Sequence, residues 1–184
     1  MGAFLVQIIG IIAASVVGSI GIYYQFLSNK GLLKRQQVED ERREIYQKLN
    51  AFYGPYQQRL AASSGLHEYL SAPKEQSSRL LDILLSRKPQ LDENDKELLA
   101  QIIKINEELD HLTLTHGGLV DDPELRLLIS KASTYFRIIS LAYSGRVAGK
   151  EHFKGIIFPK ELVSKLEEDI ISLKKRLDEL NRIF

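Results

Sequence analysis

No charged side chain occurs before Lys30: residues 1–29 contain no Asp, Glu, Lys or Arg, and residues 30–184 carry all of them. That partition limits what the chain can fold into more than any other feature. Ala3 to Leu27 is an almost wholly apolar run that amounts to roughly 37 Å of helix at ~1.5 Å per residue, enough to cross a ~30 Å hydrocarbon layer with some tilt. A cleaved signal peptide calls for a positive start and a shorter apolar stretch. Here no Lys or Arg precedes the run, so a retained transmembrane anchor over residues 1–29 is the expectation. Tryptophan is absent, which leaves Tyr23 and Tyr24 to serve as interfacial aromatics.

Orientation follows from the basic residues beside the span. None precedes it, whereas Lys30, Lys34, Arg35, Arg42 and Arg43 follow closely. The positive-inside bias therefore places the C-terminal part in the cytoplasm. Residues 30–184 have an ordinary soluble composition and are numerous enough to bury a core of their own. Cysteine is absent, which excludes disulfides, thiol catalysis and cysteine metal sites. A net charge of +1 provides no broad field for nucleic acid, so DNA is not expected as a partner and RNA is left open.

One face of the N-terminal helix is distinctive. At about 100° per residue, Gln7, Gly10, Ala14, Gly18, Gly21 and Gln25 fall within a wedge of roughly 80°. Larger aliphatics such as Ile8, Ile12, Val16 and Ile20 cover most of the rest. Small residues four apart let helix backbones approach closely, so this stripe is the expected packing face of a homo-oligomer in the bilayer. Gln7 and Gln25, about 27 Å apart along the axis, would form polar collars if the helices ringed a pore. A dimer accounts for the stripe equally well.

After residue 29 the pattern is helical almost throughout. Residues 30–53 read as a charged juxtamembrane connecting helix, with Arg35/Glu39 and Glu39/Arg43 at i,i+4 spacing. Ile45, Leu49 and Phe52 form its apolar side. Gly54-Pro55 predicts a break, with Pro55 in the first turn of a new helix. Leu80, Leu81, Leu84 and Leu85 mark a short helix ending before Pro89. Asn94 and Glu97 predict a capping-box start, and Gly117-Gly118 a left-handed C-cap. Asp122-Pro123-Glu124 opens another helix in the order cap, proline, acid. From Pro159 onward, Leu162, Leu166, Ile170, Leu173, Leu177, Leu180 and Phe184 recur at steps of three and four. The expected fold is all-α, with one transmembrane helix followed by a bundle of about five cytoplasmic helices over residues 54–184.

No glycine-rich phosphate loop, His-Glu-x-x-His motif or nucleophile elbow is present. No metal and no cofactor is expected. His111 and His116 are five apart and do not share a helix face. One constellation carries chemistry: Arg146 and His152, separated by five residues after the Asp122–Ser144 helix.

That arginine–histidine spacing resembles the motif of the HEPN superfamily of helical ribonucleases and their inactive relatives. The resemblance implies a helical bundle in which paired motifs assist attack of an RNA 2′-hydroxyl on the neighbouring phosphate, through acid–base work and charge stabilisation. The chain departs from the family pattern at Val147, where active members commonly carry a polar residue. Together with the single N-terminal helix, Arg146 and His152 make the chain resemble the membrane-pore accessory proteins of type VI-B CRISPR systems. The resemblance implies a ring in the bacterial inner membrane that permeabilises it in support of an RNA-guided nuclease system. Three functions are thus expected in order: a self-associating membrane effector that forms a pore, a membrane-tethered protein-binding module, and a membrane-held ribonuclease.

Overall fold

The computed structural model describes residues 30–71, 80–87, 91–147, 153 and 155–183. The chain divides into two compact units between Glu44 and Ile45. In the first, residues 30–44 are helical and largely exposed. The second, Ile45–Phe184, is all α, and no strand occurs among the described residues. It therefore starts before the Gly54 break expected from sequence, because Ile45, Phe52 and Tyr53 are all buried.

The break itself is replaced by a π-turn. Helix α1 (30–48) continues through a π-helical segment, Leu49–Tyr53, into α2 (Gly54–Ser71) with no interruption of helical structure. A proline inside a regular α-helix has no N–H to donate and its ring collides with the carbonyl four residues back. Here the Gly54 N–H bonds the Leu49 carbonyl instead, one residue further back than in an α-helix, which widens the turn just before Pro55. Gly54 is required for this path: a Cβ there would lie 2.9 Å from the Leu49 carbonyl oxygen, a backbone atom.

Helices α3 (Leu80–Arg87), α4 (Glu93–His116), α5 (Pro123–Tyr143) and α6 (Glu161–Asn181) complete the bundle. Asp122 caps α5 by accepting the Glu124 N–H at 2.8 Å, with Pro123 in the first turn, as the sequence predicts. Two other expected ends are different. The cap of α4 is Asp92, which accepts the Asp95 N–H at 2.7 Å, so the helix starts before Asn94. At its other end Gly117 is right-handed and the chain tightens into a 3₁₀ turn, Gly117–Leu119. That turn delivers Val120 into the core, where it is fully buried. Among the described residues the left-handed glycine is Gly145, with φ +73°, after α5.

Packing follows the apolar faces. α2 lies on α4, α4 on α5, and α5 also meets α3 and α6. Two clusters of buried side chains result. The first gathers Phe52, Tyr53, Tyr56, Leu109, Leu125, Phe136, Leu162 and Leu166. The second gathers Leu70, Leu80, Leu84, Leu91, Leu99, Ile102, Ile139 and Ala142. Both use α4 and α5, at successive levels along the two helices. Each fully buried Leu or Phe contributes about 1.5–3 kcal/mol through removal of apolar surface from water. On α6, Leu162, Leu166, Ile170, Leu177 and Leu180 are buried, whereas Leu173 is half-buried against the first cluster. Phe184 lies outside the described residues.

Candidate functional site

The arginine of the Arg146/His152 pair is positioned by how α5 ends. The Gly145 N–H donates to the Ala142 carbonyl at 3.1 Å and the Arg146 N–H to the Leu141 carbonyl at 2.9 Å. These are the paired bonds of a Schellman cap, and the left-handed Gly145 makes them possible. Arg146 is thereby turned outward and exposed, while the next residue, Val147, is half-buried against the second cluster. Its apolar identity, a departure from the HEPN pattern, serves that packing. His152 lies outside the described residues.

Arg146 lies at the end of a groove of about 490 Å³ between α4 and α5, lined also by Asn106, Glu107, Asp110, Arg137, Ser140 and Ser144. Asp110 governs its electrostatics. The Arg137 Nε donates to both Asp110 oxygens, at 3.1 and 3.0 Å, and the Ser133 hydroxyl donates to the same carboxylate. The Ser140 hydroxyl donates to Glu107 at 3.3 Å. Arg137 is therefore neutralised in place. Arg146 makes no salt bridge among the described residues and is the cation left to meet an incoming anion. The groove supplies charge and hydroxyl donors; the described residues that line it include no histidine to act as a base.

The stripe Gln7, Gly10, Ala14, Gly18, Gly21 and Gln25 lies outside the described residues. His111 and His116 are both exposed. Among the described residues no group of three or more His, Asp or Glu is placed to hold a metal ion.

A second polar constellation was not anticipated from sequence. Around the start of α5, the buried Lys48 ammonium bonds Asp121 at 2.5 Å, and Lys165 on α6 bonds Asp122 at 2.9 Å and Glu124 at 3.3 Å. The Tyr53 hydroxyl donates to Asp169 at 3.2 Å. Lys165 and the Glu124 amide, both donating to Asp122, hold its carboxyl below the usual range. Those same carboxylates, Asp122 first and Glu124 second, raise Lys165. Burial pushes Asp169 up, opposed by the hydrogen bond from Tyr53, and burial followed by the charge of Asp169 raises the Tyr53 phenol above its ordinary range. The cluster clasps Lys48, the π-turn, α5 and α6 together. In the sequence the bonded partners Tyr53 and Asp169 are 116 positions apart, so no local spacing reveals them.

Comparison with protein-family models, with characterised proteins and with solved structures finds no match to this chain.

Proposed function

We propose that this is a single-pass membrane protein whose N-terminal helix anchors the bundle and self-associates, forming an effector that acts on the bilayer. The observation that carries the reading is the charge partition at Lys30. Among the described residues no helix is long and apolar enough to cross a membrane, so insertion is assigned to residues 3–27. The amphipathic helices α4, α5 and α6 bury their apolar faces against protein, which leaves the bundle without need of lipid. Positive charge after the span keeps the bundle on the cytoplasmic side. The resemblance carried by Arg146 and His152 extends the reading to a pore in the bacterial inner membrane, acting in RNA-guided antiviral defence.

The mass of the detergent-solubilised protein tests self-association. Wild type is expected as a discrete oligomer, and Gly18→Leu, which fills the stripe, as smaller species. A wild-type monomer would remove the oligomer and with it the pore. Conductance across planar bilayers then separates a pore from a closed assembly.

The second reading, a tethered binding module, is favoured by the α4–α5 groove, where an exposed arginine adjoins hydroxyls on a rigid pair of helices. It predicts a monomer or dimer, with no change in membrane potential on overexpression. The ribonuclease reading requires His152→Ala to abolish RNA cleavage.

A further inference from the structure

A separate concavity of about 720 Å³ lies among α2, α4, α5 and the segment leading into α6. That volume is in the range of sites for drug-sized ligands. Its walls combine polar and apolar surface in nearly equal parts. Tyr135, Phe136 and Phe158 form a contiguous aromatic surface, with ring centroids 5.7 to 6.2 Å apart, and Ile102 and Leu60 add aliphatic area. Asn106 and Phe136 line both this cavity and the α4–α5 groove, so they form the partition between the two.

Asn106 is anomalous in that partition. It is 2% exposed, on the core face of α4, at a position where a leucine would simply extend the apolar stripe. The Ser63 hydroxyl, itself 8% exposed, donates to its Oδ1 at 2.8 Å. Among the described residues Ser63 is the one hydrogen-bond partner of the Asn106 side chain, so both amide N–H donors remain unspent. Asn106 Nδ2 is not among the wholly enclosed polar atoms that lack a partner, so these donors open onto accessible space in the wall. A ligand-sized cavity with two idle donors in its wall is arranged to receive an acceptor.

The charge of that acceptor is constrained as well. Asn106 and Ser63 are neutral. The titratable lining groups are His67, Glu68 and Lys160; Glu68 and Lys160 are exposed at the mouth and opposite in sign. An ammonium carried to the Asn106 wall would leave water with no buried counter-charge, and a carboxylate would meet only the half-buried His67 one turn from Ser63, which is unfavourable. We propose that this cavity binds a small uncharged molecule with an aromatic or aliphatic body and an amide-type carbonyl, the carbonyl accepting from Asn106 Nδ2. The body stacks on the Tyr135–Phe136–Phe158 surface. The site is independent of the anchor and of Arg146.

The full-length protein in lipid nanodiscs is titrated with three probes that share one body: 4-phenylbutanamide, 4-phenylbutanoate and 4-phenylbutylamine. Binding is read by calorimetry against empty nanodiscs. The amide is expected to bind saturably and at least about tenfold more tightly than the acid or the amine, a factor of ten corresponding to ~1.4 kcal/mol. Asn106→Leu weakens the amide by about tenfold or more while the unfolding midpoint is retained or raised. Ile157→Trp fills the mouth from a half-exposed position and also abolishes binding; it carries the test if Asn106→Leu fails to fold. The proposal is overturned by no saturable binding beyond empty nanodiscs, by an acid or amine that matches the amide, or by unchanged amide affinity in the folded variants.

Discussion

The two core clusters share α4 and α5 but are held by different chemistry. The first is aromatic and tied down by polar bonds: Phe52 stacks on Tyr56 with centroids 5.1 Å apart, and Tyr53 reaches Asp169 on α6. Lys48 and Lys165 add ion pairs at its edge. Among the described residues the second cluster's buried members are Leu, Ile and Ala. Apolar burial is non-directional, so an aliphatic cluster fixes that helices pack but only loosely how. Hydrogen bonds between specific partners fix register, because a shifted helix leaves buried polar groups unmet. The end of the bundle around the π-turn is therefore the specified end, and the end around α3 the adaptable one.

Truncation separates them most strongly. Phe52→Ala is expected to lose about 3–5 kcal/mol of bundle stability in urea unfolding, since Phe52 is wholly buried in a packed aromatic set. Leu99→Ala, the matching truncation in the aliphatic cluster, should lose about 2–3 kcal/mol, because an adaptable cluster closes over the space. A loss at Leu99→Ala as large as that at Phe52→Ala would erase the distinction.

The glycines of α2 sharpen it. Gly54→Ala drives a methyl against the Leu49 carbonyl and is expected to destabilise by about 1–3 kcal/mol. Gly65, with nothing within 4 Å of its notional Cβ, should gain up to ~1 kcal/mol on becoming alanine. Thermal unfolding followed by circular dichroism reads both signs. If Gly54→Ala were neutral, the π-turn would not be a fixed feature of the fold.

Smaller effects come from the ion pairs. Asp121→Ala removes a carboxylate from a buried ammonium and should cost about 1–2 kcal/mol, whereas Lys48→Met, which removes the charge and keeps the apolar stem, should be near neutral. Equal losses in the two variants would mean that the Lys48–Asp121 pair itself, rather than the burial of the lysine charge, carries the energy.

The pH dependence follows from the same cluster. Tyr53 and Tyr56 are both raised, chiefly by burial, so the fold favours the neutral phenols. Their contribution is complete below the unfolded value of ~10 and is lost as pH rises beyond it. Stability should therefore decline above about pH 10, and Tyr53→Phe should flatten that decline. Asp122 works in the opposite direction: its lowered carboxyl contributes above the unfolded value, and that contribution fades as pH falls through the folded one.

What the sequence revealed and what it hid have a common cause. The all-α class, the short Leu80–Arg87 helix and the Asp122-Pro123-Glu124 start were readable because apolar period and cap chemistry are local. The π-turn was not. Gly54-Pro55 reads as a helix break unless the widened turn and the buried Phe52 and Tyr53 behind it are already known. The Asp92 cap lost out to Asn94 because both are good caps two residues apart, and the buried Leu91 decides between them. Arg146 was readable as following the Asp122–Ser144 helix, whereas the left-handed Gly145 that turns it outward was not singled out. The Lys48–Asp121, Tyr53–Asp169 and Ser63–Asn106 pairs join residues from different helices, and no periodicity encodes which donor meets which acceptor.

The account's central claim is that residues 1–29 hold this bundle to a bilayer. Alkaline carbonate extraction of membranes from cells producing the full chain tests it most directly, alongside a variant with Ile12→Lys and Val16→Lys in the middle of the apolar run. The full chain should stay in the membrane pellet and the double variant should move to the supernatant, because each lysine at mid-bilayer costs about 2.5–3.5 kcal/mol of insertion free energy. Full-length protein released by the wash would contradict the anchor, and with it the proposed assembly in the membrane.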